Sequence, residues 1–134
     1  MAAAAMNMAV GVVLPELRIS VTPTFVISTA VATRDFQDVH HDRDQAVRRG
    51  SKDIFLNILT TTGLVQRYVT DWAGATAMVH RVAIRLGAPC YAYDTLVLTG
   101  QVTQVSATGC VVAVVGRVTG GDHVTGQVEV GRLP

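Results

Sequence analysis

Cysteine is scarce in this sequence. The 134 residues contain two, Cys90 and Cys110, too few for a disulfide framework and without metal-ligand spacing, so both read as small buried hydrophobes. An excess of charge of one sign is also missing: eleven basic residues against ten acidic give a formal net charge of +1. Such a balance supplies no field to hold a polyphosphate backbone, which argues against nucleic acid as a partner. Nor is there a long hydrophobic run. The longest uncharged stretch, 95–116, is broken by Thr, Gln, Ser and Gly and alternates polar with apolar residues, whereas a membrane-spanning helix needs about 20 mainly apolar ones. The N-terminal MAAAAMNMAVGVVL has no Lys or Arg ahead of it, and Leu14-Pro15-Glu16 stands where a secretory signal needs small residues. Residues 1–12 are therefore expected to be a flexible leader, and 13–134 a single domain of a cytoplasmic protein that needs no membrane.

What is present is unevenly distributed. Residues 34–53, RDFQDVHHDRDQAVRRGSKD, hold five of the ten acids and five of the eleven bases, with His40 and His41 among them. Elsewhere the chain, 49% hydrophobic, reads as core. Residues 16–33 are β-branched and apolar around Pro23 and predict two short extended pieces. Asp42 to Arg49 predicts a short helix with Asp42 as its N-cap and Gly50 beyond its end. From Ile54 to Trp72 apolar residues recur at a period near 3.6, predicting a long buried helix that Asp53 caps and whose Gly63 lets another backbone approach.

After Gly74 the period changes to two. Val82, Ile84 and Leu86 alternate with Arg81, Ala83 and Arg85, and turns are signalled at 87–89, 107–109 and 120–122. The stretch 91–105 exceeds an ordinary strand and predicts a bend at Gly100. Four or five antiparallel strands after one long helix make an α+β domain whose sheet must wrap the helix. The open sheet edge makes dimerisation the simplest remedy. His80 and His123 read as edge or surface histidines, Arg81 and Arg85 as a solvated strand face, and Tyr68, Trp72, Tyr91 and Tyr93 as core or interface anchors.

The candidate chemistry lies where the extended pieces meet the charged segment. Asp35 and His40, in D-F-Q-D-V-H, are spaced so that a loop can bring a carboxyl group and an imidazole over one water molecule. An imidazole titrating near neutrality can take that water's proton, while a protonated carboxyl group can give one to carbon. The alternative is that Asp35 caps a turn and His40 is a solvated loop histidine. Free backbone N–H groups at the start of the long helix, near Leu56 and Asn57, can stabilise a developing oxyanion. His41 reads as solvated or interfacial. A metal held by Asp38, His40, His41 and Asp42 is the weaker reading.

Asp35 to His40, followed after five residues by Ala46, resembles the hydratase-2 motif of MaoC-like (R)-specific enoyl-CoA hydratases. ATRDFQDVHHDRDQAV, GSKDIFLNILTTTGLVQRYVTDWAG and APCYAYDT are similar to the small MaoC-like subunits of hydratases that act on steroid side-chain enoyl-CoA thioesters in sterol degradation. The resemblance implies a hot-dog fold, with a long central helix wrapped by a curved antiparallel sheet. It implies water addition to a trans-2 double bond with Asp35 and His40 as catalytic residues, and only the backbone amide of Asn57 is carried over as oxyanion donor. It further implies no cofactor beyond the coenzyme A of the substrate, no metal, and a larger MaoC-like subunit as partner in a heterodimer or heterotetramer. Gln37-Asp38 replaces the usual Asn-Pro, and Leu56-Asn57 stands where many relatives have His-Gly. The same fold also suits a non-catalytic half that shapes an active partner, or an acyl-CoA thioesterase.

Overall fold

The computed structural model of the chain describes residues 8–132, so residues 1–7 of the expected leader lie outside the described residues. Within the remainder of that leader, Gly11 N–H donates to Val102 O and Val12 O accepts from Val102 N–H, each at 2.9 Å. Strand β1 (Val13–Ser20) leads into helix α1 (Pro23–Ala32), a 3-10 turn (Asp38–His40), a short helix α2 (Arg43–Arg48) and the long helix α3 (Ile58–Ala73). Strands β2 (Ala77–Leu86), β3 (Thr95–Val105), β4 (Gly109–Val118) and β5 (Gly121–Arg132) follow. All five strands form one antiparallel sheet in the order β1-β3-β4-β5-β2.

The core arises from two periodicities meeting face to face. On β4 Val112, Val114 and Val118 turn inward, while on α3 Leu64, Val65, Tyr68 and Val69 share the buried stripe. Gly100 on β3 makes room for this packing: a Cβ there would stand 3.0 Å from the Tyr68 ring. That ring lies on the sheet and donates its hydroxyl to Pro15 O at 2.9 Å, linking α3 to β1. Gly100 is thus a close-approach position. The irregularity of β3 falls between Val102 and Gln104, and 91–94 form a turn closed by Asp94 Oδ2 on Tyr91 N–H at 2.9 Å.

Several sequence expectations need correction. Only the first of the two extended pieces exists, because residues 23–32 are helical. Thr22 Oγ1 accepts from Phe25 N–H at 3.1 Å and Pro23 occupies the first helical turn, where its missing N–H costs nothing. Thr29 and Thr33 donate their hydroxyls back to Phe25 O and Thr29 O at 2.8 Å, and Val26 and Ala30 are buried, so tertiary packing overrides the β-branched composition. The long helix begins at Ile58, not at Ile54. Residues 54–57 are extended, with Leu56 N–H on Cys90 O at 3.0 Å and Ala92 N–H on Ile54 O at 2.9 Å, and Asn57 caps the helix. Asp53 instead accepts from Ile54 N–H at 2.8 Å. Gly63 faces open space rather than another backbone. Tyr93 is exposed, and His123 is buried. Among the described residues no helix is long and apolar enough to cross a membrane.

Candidate active site

Helix α1 ends by presenting Asp35. Arg34 N–H donates to Val31 O at 3.0 Å and Asp35 N–H to Ala30 O at 2.9 Å, the paired bonds of a Schellman ending. Arg34 takes the left-handed conformation this ending requires, with φ of 58°. The reversal leaves Asp35 just past the helix, where Gln37 N–H donates to its Oδ1 at 3.3 Å.

His40 closes the 3-10 turn that follows. Its Nδ1 lies 2.7 Å from Phe55 O; a carbonyl only accepts, so Nδ1 carries the proton, and in the neutral form of the ring Nε2 presents a lone pair. Nε2 stands 3.4 Å from Asp35 Oδ2. With the ring neutral the two atoms are both acceptors, and a water molecule donating to both satisfies them. The His40 side chain is 8% exposed and that of Asp35 25%, so solvent reaches the pair from the carboxylate side. The imidazole meets Phe55 edge-on at 5.0 Å between centroids, and Phe55 meets Tyr91 in the same way at 6.3 Å.

Asn57 is the residue the sequence reading undervalues. Its Oδ1 accepts from Thr60 N–H at 3.1 Å, capping α3, while its Nδ2 donates to Thr33 Oγ1 at 2.8 Å and to Asp35 Oδ2 at 3.2 Å. One buried side chain therefore ties the positive end of the long helix to the carboxyl group of the pair. An asparagine three residues ahead of a helical threonine is an N-cap signal, yet nothing local announces its second partner. Of the two backbone donors considered from sequence, Leu56 N–H is taken by Cys90 O, whereas Asn57 N–H has no acceptor among the described residues.

The neighbouring polar residues are engaged elsewhere. Asp38 Oδ2 accepts from Arg49 Nη2 at 3.0 Å, Asp42 Oδ1 caps α2 on Gln45 N–H at 3.1 Å, and His41 is exposed. Among the described residues no three metal-binding side chains converge. Ala46 is fully buried under the turn that carries His40. Burial, followed by the charge of Asp94, pushes the Cys90 thiol up to about 12, so it packs rather than reacts. Val31 and Phe36, close to Asp35 in sequence, and Ile58 and Leu59, directly after Asn57, are exposed apolar side chains.

Comparison with known proteins identifies the family. No protein-family model matches the chain. Over 120 residues, 90% of this chain and 93% of the other, it is 65% identical to the 3-oxo-4,17-pregnadiene-20-carboxyl-CoA hydratase beta subunit of Mycobacterium tuberculosis (strain ATCC 25618 / H37Rv). The chain belongs to this hydratase beta-subunit family. A chain of the ChsH1-ChsH2 complex from Mycobacterium tuberculosis superposes with a TM-score of 0.92 at 61% identity, covering 95% of this chain and 100% of that one. The (R)-hydratase from A. caviae involved in PHA biosynthesis matches with a TM-score of 0.82 over 97% of this chain and 100% of that one. At 19% identity the latter likeness is one of fold, the MaoC-like hot dog. Membership in the beta-subunit family rests on the former two.

Proposed function

We propose that the chain is a subunit of an enoyl-CoA hydratase that adds water across the trans-2 double bond of a steroid side-chain thioester, together with a larger MaoC-like subunit. The observation that carries this reading is the 3.4 Å approach of His40 Nε2 to Asp35 Oδ2, with Nδ1 engaged by Phe55 O. Water held between them gives a proton to Nε2 as its oxygen bonds to the β-carbon. The thioester carbonyl becomes an enolate, whose oxygen meets the Asn57 N–H at the positive end of α3. The imidazolium passes the proton taken from water from Nε2 to the Asp35 carboxylate at Oδ2, and Asp35 delivers it to the α-carbon. One water is consumed and both groups return to their starting states.

Two further features support the reading. The Asp35 carboxyl group is oriented by donors on both oxygens, Gln37 N–H and Asn57 Nδ2. The exposed apolar side chains of Phe36, next to Asp35, and of Ile58 and Leu59, next to Asn57, suit contact with a bulky hydrocarbon group. The test is the enoyl-thioester absorbance of a steroid side-chain substrate mixed with the chain co-purified with its partner subunit. Wild-type complex bleaches the band, and Asp35→Asn or His40→Ala slows this by about 10²- to 10⁴-fold. A band that persists with wild-type complex, or one that bleaches equally fast with both variants, overturns the proposal.

A further inference from the structure

His123, on β5, is a buried histidine that the hydration chemistry leaves unused. It is 2% exposed, with Nδ1 2.8 Å from Ala88 O and Nε2 2.8 Å from Thr61 Oγ1. The carbonyl fixes the tautomer, since Nδ1 must donate to it, and the neutral ring then accepts the Thr61 hydroxyl proton at Nε2. Burial lowers the pKa of this ring against the opposing effects of the Ala88 bond and Asp94, in keeping with a neutral imidazole. Filling space needs no imidazole, and burying one without partners is costly. Its two bonds therefore point to a task.

The bonds join the two segments that hold the reacting pair. Thr61 lies in the first turn of α3 with its N–H on Asn57 O at 3.2 Å, and Asn57 Nδ2 holds Asp35. Ala88 begins the loop whose Cys90 O takes Leu56 N–H and whose Ala92 N–H reaches Ile54 O. Phe55 stands between those two bonds, and its carbonyl holds His40. One arm thus carries the acid and the other the base. We infer that His123 is a positioning residue: by clasping Thr61 to Ala88 it sets the separation of Asp35 from His40 and keeps His40 in its Nδ1-protonated tautomer. This inference rests on the hydratase reading for its catalytic consequence, though not for its structural one.

The test uses His123→Phe, which fills the space without either bond, His123→Asn, which retains a donor near the Nδ1 position, and Thr61→Val, which removes only the hydroxyl. In the co-purified complex His123→Phe lowers kcat about 10- to 100-fold, as expected for a misplaced reacting group, while KM stays within about twofold. His123→Asn recovers part of the loss, and Thr61→Val falls between wild type and His123→Phe. Nitrogen-15 NMR of the histidine rings, assigned with His40→Ala, shows a single Nδ1-protonated tautomer for His40 in wild type and a mixture in His123→Phe and Thr61→Val. Folded variants with wild-type kcat and an unchanged His40 tautomer, altered only in melting temperature, overturn the inference. Thr61→Val decides by itself where neither His123 variant folds. Should Asp35→Asn keep full turnover, the hydratase reading fails and the tautomer measurement still judges the clasp.

Discussion

Helices α1 and α2 end in the same way with different residues. At the end of α2, Gly50 N–H bonds Val47 O at 3.0 Å and Ser51 N–H bonds Ala46 O at 2.9 Å, with Gly50 at φ of 88°. At the end of α1 the corresponding bonds are made by Arg34 and Asp35, with Arg34 at φ of 58°. Glycine takes this conformation freely, whereas a residue with a Cβ does so at a cost of about 1–2 kcal/mol. The helix end that carries the candidate acid is therefore the more strained of the two, and it is over-determined by neighbours: Asn57 and Gln37 both hold the side chain that follows. The plain helix end serves structure; its counterpart aims the proposed acid.

Substitutions separate the two helix ends, beginning with the residue that follows each reversal. Asp35→Asn lowers turnover by about 10²- to 10⁴-fold, whereas Ser51→Ala, which loses one hydrogen bond to Asp53 O, leaves kcat unchanged; steady-state kinetics of the two side by side checks this. Next comes the side chain that holds only one of the two endings. Asn57→Ala removes the α3 cap and costs about 1–2 kcal/mol of stability along with activity, while Asn57→Ser restores the cap without the bond to Asp35. Denaturant titration and turnover should therefore separate in the serine variant. At the reversals themselves, opposite signs are expected: Gly50→Ala destabilises by about 1 kcal/mol, and Arg34→Gly stabilises by a few tenths to about 1 kcal/mol, both read from the unfolding midpoint.

Smallest is an effect of pH on the whole fold. His123 is held below its usual value by burial, against Ala88 and Asp94. The unfolded chain therefore takes up this proton first, so the contribution is complete above about pH 6.5 and declines as pH falls below that value toward the folded pKa. His123→Phe should flatten that part of the stability profile, as melting curves between pH 7 and pH 5 will show.

Much of this was legible in the sequence where a residue has one dominant use. Gly50 after a capped segment marks a helix end, Asp42 marks its start, and the alternation in 81–86 marks a strand. Residues with competing uses were not legible. Pro23 interrupts a strand or opens a helix, and only the Thr22 cap and the burial of Val26 decide. The apolar run at 54–57 fits a buried helix turn as well as extended chain, because a short fully buried segment has no period to read. Asp35 and His40 came through the spacing of a known motif, whereas Asn57 Nδ2, Phe55 O and His123 act through partners 15 to 62 positions away. No local pattern encodes those contacts.

The short separation between Oδ2 and Nε2 carries a stereochemical consequence. With Asp35 and His40 in the proposed roles, a flat alkene resting against both groups is served from one side only, since the donor to the α-carbon and the holder of the attacking oxygen are neighbours. Turnover in deuterium oxide should accordingly leave the new C–D and C–O bonds on the same face of the former double bond, a syn relationship that proton NMR of the product can read. An anti product would place the two groups on opposite sides of the substrate, which their 3.4 Å spacing does not allow.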